Sequence, residues 1–225
     1  MARRIIYISG IGADSRAFSH LRIKGSYEHV YTDWISANRD ETFVSYCKRF
    51  RNQYHIESND ILLGLSFGGL IAQQIGHFLH SQKVVMISSF RSRNDLQGFW
   101  NFCLRFNLHL TFPPFRIPLI ADIITISLNA QNKEGSKLLR DMQKDADFRF
   151  IKWALQKIRD TDLTTAFKDS YLVMNGNKDL LVKDWKSTGS ITIDQGSHFM
   201  VHNHASRLAS LIEEYLAIRA NQTGS

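Results

Sequence analysis

Several things are scarce in this sequence, and each scarcity removes a class of explanation. No run of about 18 apolar residues occurs, so no transmembrane helix is expected. The longest near-apolar window, Phe115 to Leu128, is shorter than that and carries Asp122. The opening MARRIIYISG has two arginines and a short apolar run but no small-residue cleavage site. Its length suits a strand better than a signal peptide, and a cytoplasmic protein without stable membrane insertion is the expectation. There are only two cysteines, Cys47 and Cys103, each inside a helical pattern. They read as separate core thiols rather than as a disulfide or a metal pair. Internal repeats and low-complexity segments are absent. The basic residues behind the net charge of +7 are scattered apart from Arg49/Arg51 and Arg91/Arg93, and most of them read as solvated faces. No recognisable binding module accompanies that charge, so nucleic acid is not an expected partner.

What remains is a chain of 225 residues, 44% hydrophobic, long enough to bury a full core. Strand and helix signals alternate along it, which argues for an α/β fold with a parallel sheet. Strands are expected at Arg4 to Ser9, His29 to Asp33, Asp60 to Leu65, Lys83 to Ser88, Ser170 to Asn175 and Ser190 to Asp194. Helical periodicity marks Glu41 to Tyr54, Phe67 to His80 and Ala205 to Arg219. Between Arg91 and Lys168 the strand signals stop. That block reads as helices at Asp95 to Leu110, Pro118 to Leu128, Lys133 to Lys144 and Phe148 to Arg159, with Pro113-Pro114 as a break. The expected organisation is therefore a core of residues 1–90 and 169–225, interrupted by a helical block of residues 91–168. Such a block is expected over the carboxyl edge of the sheet, where open α/β sheets place ligands.

One short stretch carries specific chemistry. Gly64-Leu65-Ser66-Phe67-Gly68 matches G-x-S-x-G, follows an apolar strand and opens a helix. A serine on so sharp a turn has strained backbone angles, and glycine two residues before and after it removes a steric clash. The helix starting at Phe67 then aims its amino-terminal amides at charge developing near Ser66. A serine hydroxyl needs a base. His198, in Gly196-Ser197-His198-Phe199-Met200, sits on a loop between the last strand and the last helix, and His202 and His204 are its nearest rivals. His198 and His202 also have the i, i+4 spacing of a metal pair, but no glutamate follows the first histidine and no third ligand stands out, so no metal is expected. The acid that would fix the imidazole is Asp179, in Gly176-Asn177-Lys178-Asp179 after the fifth strand, with Asp184, Asp194 and Asp169 as alternatives. Ser66, Asp179, His198 is the Ser-acid-His chain order. Ser9-Gly10-Ile11-Gly12 follows the first strand, and the Ile11 and Phe67 amides could together hold an oxyanion.

Taken together, ISGIGADSRAF, GLSFGG, MNGNKDLLV and GSHFMVHNHAS resemble the α/β-hydrolase fold superfamily, over nearly the whole chain. The resemblance implies a mostly parallel six-stranded sheet flanked by helices, with a helical cap between the fourth and fifth strands. It also implies Ser66 as nucleophile, Asp179 as acid, His198 as base, and the Ile11 and Phe67 amides as oxyanion hole. Many members have His-Gly where this chain has Ser9-Gly10, Gly-His-Ser where it has Gly64-Leu65-Ser66, and proline at the place of Lys183. Serine at position 66 argues against the dehalogenase branch, whose nucleophile is an aspartate. The expected activity is hydrolysis of a small or medium carboxylic ester or thioester, with no cofactor and a small-molecule acyl substrate as partner. Amide or C–C bond cleavage, or a non-catalytic ligand-binding member, would use the same parts. Phe99, Trp100, Phe102, Phe106, Phe112 and Phe115 could line an apolar acyl site, with Phe99, Trp100 and Phe106 as the leading residues; the alternative is that most of them are cap core.

Overall fold

The computed structural model describes residues 3–81, 83–107, 128, 133–187 and 189–222. Six strands form one sheet: β1 (Arg3–Ile8), β2 (Tyr27–Tyr31), β3 (Ile61–Leu65), β4 (Val84–Ile87), β5 (Leu172–Gly176) and β6 (Ser190–Ile193). Their spatial order is β2-β1-β3-β4-β5-β6, and every neighbouring pair is parallel. The helices are α1 (Phe43–Gln53), α2 (Phe67–Phe78), α3 (Gly98–Arg105), α4 (Lys133–Asp145), α5 (Phe148–Asp160), α6 (Met200–Asn203) and α7 (Ala205–Gln222). Short 3-10 turns lie at Ser15–Phe18, Arg93–Asp95 and Thr164–Ala166. No helix among the described residues is long and apolar enough to cross a membrane.

Parallel strands covered on both faces read as unbroken apolar runs, and β3 and β4 are buried at every residue. Because side chains alternate along a strand, neighbours in β1 feed different cores. Ile6, Ile8, Leu62, Val84, Met86 and Val173 pack with α1 and α2 in one apolar layer. Ile5, Tyr7, Leu63, Val85, Ile87 and Met174 pack with Leu208, Ile212 and Leu216 of α7 in the other. The helical block joins both layers. Phe150, Trp153, Ala154 and Ile158 of α5 belong to the first; Leu139 and Met142 of α4 belong to the second.

Three sequence expectations need correction here. The helical period read from Asp95 begins only at Gly98, because the segment before it pairs with another part of the chain. Leu96 bridges Val182, the Gln97 amide donates to Leu181 O at 2.8 Å, and the Lys183 amide donates to Asp95 O at 2.8 Å. Tertiary pairing overrides local periodicity there. Arg49 and Arg91 are not simply solvated. Arg49 grips the buried Glu41 carboxylate at 2.8 and 3.0 Å. Arg91 pairs with Asp95 at 2.9 Å and lies 4.1 Å over the Trp185 ring. The two thiols are free, Cys47 buried as expected, whereas Cys103 is only half-buried. The helix expected at Pro118 to Leu128, and Phe112 and Phe115, fall outside the described residues except for Leu128.

Candidate active site

The strand order reverses its direction of growth between β1 and β3: β2 lies on one side of β1, and all later strands lie on the other. Loops leaving the carboxyl ends of two such strands diverge and open a crevice. Ser66 stands at that point, between β3 and α2, with φ 54° and ψ −119°. A non-glycine residue in this region costs about 1–3 kcal/mol and persists only where surrounding structure enforces it. The enforcement is visible. A Cβ on Gly64 would meet Gly68 O and the Gly69 backbone at 2.4 Å. A Cβ on Gly68 would meet Ile8 O at 2.1 Å, at the end of β1. The two glycines thus have different tasks: Gly64 clears the turn itself, and Gly68 lets α2 approach β1. The Ser66 backbone is pinned as well, its amide donating to Ile87 O at 2.9 Å and its carbonyl accepting from the Ser89 hydroxyl at 2.7 Å.

His198 and Asp179 arrive from the neighbouring strand ends. The loops after β5 and β6 are stitched together, the Lys178 amide donating to Gly196 O at 2.9 Å and the Asn177 side chain to Asp194 Oδ1 at 2.8 Å. His198 Nδ1 lies 2.8 Å from Asp179 Oδ2, and His198 Nε2 lies 3.0 Å from Ser66 Oγ. The Asp179 side chain is fully buried and the His198 side chain nearly so. The second carboxylate oxygen accepts the amides of Leu181 at 2.8 Å and Val182 at 2.9 Å. A carboxylate held by two backbone donors is an acceptor only. Nδ1 therefore carries the imidazole proton, and Nε2 presents its lone pair to the serine hydroxyl.

Gly10 adjoins this hydroxyl, since a Cβ placed on it would lie 3.3 Å from Ser66 Cβ. The loop it belongs to is braced by Trp34 Nε1, which donates to Gly10 O and Ala13 O at 3.2 Å, and by Ser9 Oγ, which donates to Ala13 O at 2.9 Å. No described group accepts a hydrogen bond from the amides of Ile11 or Phe67. Backbone donors beside a nucleophile, without a partner among the described residues, are what a developing oxyanion requires.

Three of the sequence alternatives, Asp184, Asp194 and His202, make contacts of their own. Asp184 binds Lys186 at 2.7 Å and Thr192 at 2.9 Å, and Asp194 holds Asn177. His202 Nδ1 contacts Asn203 Oδ1 at 3.2 Å. Among the aromatics, Phe99, Phe102 and Phe106 are 64%, 54% and 57% exposed. Trp100 is partly buried against the α1/α2 layer. Supporting residues that the sequence does not flag are Ser89, Gln97 and Trp185. Trp185 Nε1 donates to Ser89 O at 2.9 Å, and Gln97 Nε2 donates to Asp179 O at 3.1 Å. Each acts on a backbone carbonyl far away in sequence, so no local pattern announces it.

No protein-family model and no curated protein sequence matches the chain. Solved structures do. An esterase from Exiguobacterium antarcticum aligns with a TM-score of 0.72 at 14% identity, over 96% of this chain and 92% of that one. A hydrolase from Oleispira antarctica aligns with a TM-score of 0.74 at 12% identity, over 96% and 92% of the two chains. The chain has the α/β-hydrolase fold. A lipase-esterase related protein from Clostridium acetobutylicum shares that fold at a TM-score of 0.70 and 16% identity, over 95% of this chain and 94% of that one. Within the α/β-hydrolase fold of this chain, Ser66, His198 and Asp179 lie on the loops after β3, β6 and β5, all at the carboxyl edge of the sheet.

Proposed function

We propose that the protein is a serine hydrolase that cleaves a small or medium carboxylic ester or thioester through an acyl-enzyme on Ser66. The observation that carries this reading is the unbroken chain from Ser66 Oγ through the His198 ring to the buried Asp179 carboxylate, at 3.0 and 2.8 Å. Ser66 Oγ attacks the acyl carbon as its proton passes to His198 Nε2. The carbonyl oxygen becomes an anion between the amides of Ile11 and Phe67, and one such donor contributes about 3 kcal/mol to the transition state. Collapse breaks the bond to the alcohol or thiol, which leaves with the proton held by His198. Water, deprotonated by the same nitrogen, then releases the acid and restores Ser66. Asp179 keeps its negative charge throughout and offsets that of the imidazolium.

Ester chemistry is also what several structural neighbours are named for. One is an N-acyl homoserine lactonase, in a mutant form complexed with N-hexanoyl homoserine; it aligns at a TM-score of 0.71 and 13% identity, over 96% of this chain and 88% of that one. The helical block of residues 91–168 is read as a cap that shapes the acyl pocket. Within it, Ser92 near its start bridges Asp162 towards its end. Release of p-nitrophenol from short and medium acyl esters tests the reading. Wild type should turn over and Ser66→Ala should lose roughly a factor of 10⁶ in kcat. Equal rates for the two proteins would remove Ser66 from the chemistry.

A further inference from the structure

A second cluster of ligating side chains lies on the α7 side of the sheet, apart from the Ser66 hydroxyl. His20 follows the 3-10 turn after β1, Glu134 opens α4, and His202 sits on α6. One ligating atom from each lies within 4.8 Å of the others. His20 Nε2 is 3.8 Å from Glu134 Oε1, and the rings of His20 and His202 stack with centroids 4.0 Å apart. The sequence pattern points instead to His198 as the possible partner of His202; the fold engages His198 with Ser66 and brings in His20 and Glu134 from distant parts of the chain.

His202 is the informative member. It is 4% exposed, yet its Nε2 is buried and has no hydrogen-bond partner. Nδ1 meets Asn203 Oδ1 at 3.2 Å, so Nδ1–H donates and Nε2 is left with a lone pair. A histidine whose other nitrogen is fixed by an amide or carboxylate oxygen is the arrangement found around protein-bound metals. A buried polar atom without a partner calls for an explanation, and an ion is one. The cluster borders an open surface groove of about 630 Å³ lined by His20, Arg22, His202, Asn203, His204 and Arg207.

We propose that His20, Glu134 and His202 form a binding site for a divalent transition metal, with zinc as the expected occupant. Two imidazoles and one carboxylate suit zinc and its neighbours, whereas magnesium and calcium prefer all-oxygen shells. Tetrahedral zinc with bonds near 2.1 Å holds its ligand atoms roughly 3.4 Å apart, so the cluster must tighten by about an ångström. His20 and Glu134 can supply that movement, being exposed by 42% and 74% at the side chain. His202 is the buried member, and the Phe199 ring stacks on it with centroids 5.4 Å apart. One carboxylate leaves the complex with a net positive charge, and Arg22 and Arg207 add to it. The open coordination position therefore favours an anion or hydroxide from the groove. A bound metal would tie α4 to the loop after β1 and to the segment that carries His198. The site does not depend on the proposed hydrolase chemistry, which routes no step through it.

Zinc binding to the untagged, chelator-stripped full chain tests this, by competition with a chromogenic chelator and by thermal unfolding. Wild type should bind one equivalent of zinc, gain thermal stability with it, and ignore magnesium. His20→Ala and Glu134→Gln alter exposed side chains and should leave the apo fold intact. Each should weaken binding by roughly tenfold or more and lose the zinc-induced rise in Tm, and Asn203→Ala should weaken binding by roughly 10–100-fold. Absence of stoichiometric binding in wild type overturns the proposal. So does wild-type affinity in either His20→Ala or Glu134→Gln, since zinc would then be held by other histidines.

Discussion

Ser66 sits in a backbone conformation that its own side chain disfavours, and the cost is met by glycines whose missing Cβ atoms would overlap backbone. At Gly64 the overlap involves Gly68 O and the Gly69 backbone at 2.4 Å, atoms that cannot swing aside. Gly64→Ala should therefore lower stability by about 1–3 kcal/mol or more, read as a reduced denaturant midpoint, and should cost the proposed hydrolase activity beyond the unfolded fraction. The carboxylate makes a subtler prediction. In Asp179→Asn the amide oxygen can keep the Leu181 and Val182 donors while the NH₂ group faces His198 Nδ1. The proton then moves to Nε2, which can no longer accept from Ser66. The expected result is a folded protein whose kcat falls about 10⁴-fold. Residues of this site differ in how far they can be read from sequence. Ser66 and its glycines form a contiguous motif and are legible alone. His198 and Asp179 become legible only once the strands are counted, because what unites them is a shared sheet edge. Ser89, Gln97 and Trp185 are silent, since their partners are carbonyls 23, 82 and 96 residues away.

The start of α1 shows how much an element can depend on groups outside its own period. Thr42 caps it, its hydroxyl accepting the Ser45 amide at 3.1 Å. Just before it, Glu41 takes Arg49 from the second turn and the Asn38 amide at 2.9 Å, while its carbonyl accepts from Trp153 Nε1 of α5 at 3.0 Å. Burial alone would raise the Glu41 pKa, but the hydrogen bonds from Arg49 and Asn38 and the charge of Arg49 outweigh it, so the carboxyl is held below its usual 4.5. A depressed folded pKa contributes stability that is present above the unfolded value and is lost as pH falls through the folded one. Stability should thus decline with falling pH below about 4.5, and Glu41→Gln should be less stable at neutral pH with a shallower acid limb. Denaturant titrations at about pH 3.5, 4.5 and 7 would show it. This pairing is invisible to periodicity, and Arg49 accordingly reads as solvent-facing from sequence. The late start of α3 has the same origin: apolar spacing from Asp95 onward is helical, but pairing with the Leu181–Lys183 segment claims the first three residues.

Across the whole molecule, the sheet divides the apolar interior into two layers, and the helical block contributes to both. Six strands and their order of appearance are legible because most are apolar runs bounded by turn residues; the edge strands β2 (YEHVY) and β6 (SITI) carry a weaker signal. The spatial order is a consequence of the crossovers. What the alternation of signals does not reveal is that α5 is wedged into the α1/α2 layer. Trp153 stacks with Phe150 at 5.7 Å, meets Tyr46 at 4.5 Å and Phe67 at 6.4 Å, and is 8% exposed. Trp153→Ala should lower stability by about 3–5 kcal/mol, in a single transition that takes the block and the sheet together. The block is therefore part of the structural core as well as the proposed cover of the site. Every further statement about substrate rests on whether Ser66 is a nucleophile. Labelling of the folded protein with a fluorophosphonate, followed by peptide mass mapping, asks that most directly. One equivalent of label is expected on the peptide containing Ser66, none after Ser66→Ala, and much slower labelling after His198→Ala. An unmodified Ser66 in folded protein, or label carried by a different serine, would contradict the assignment.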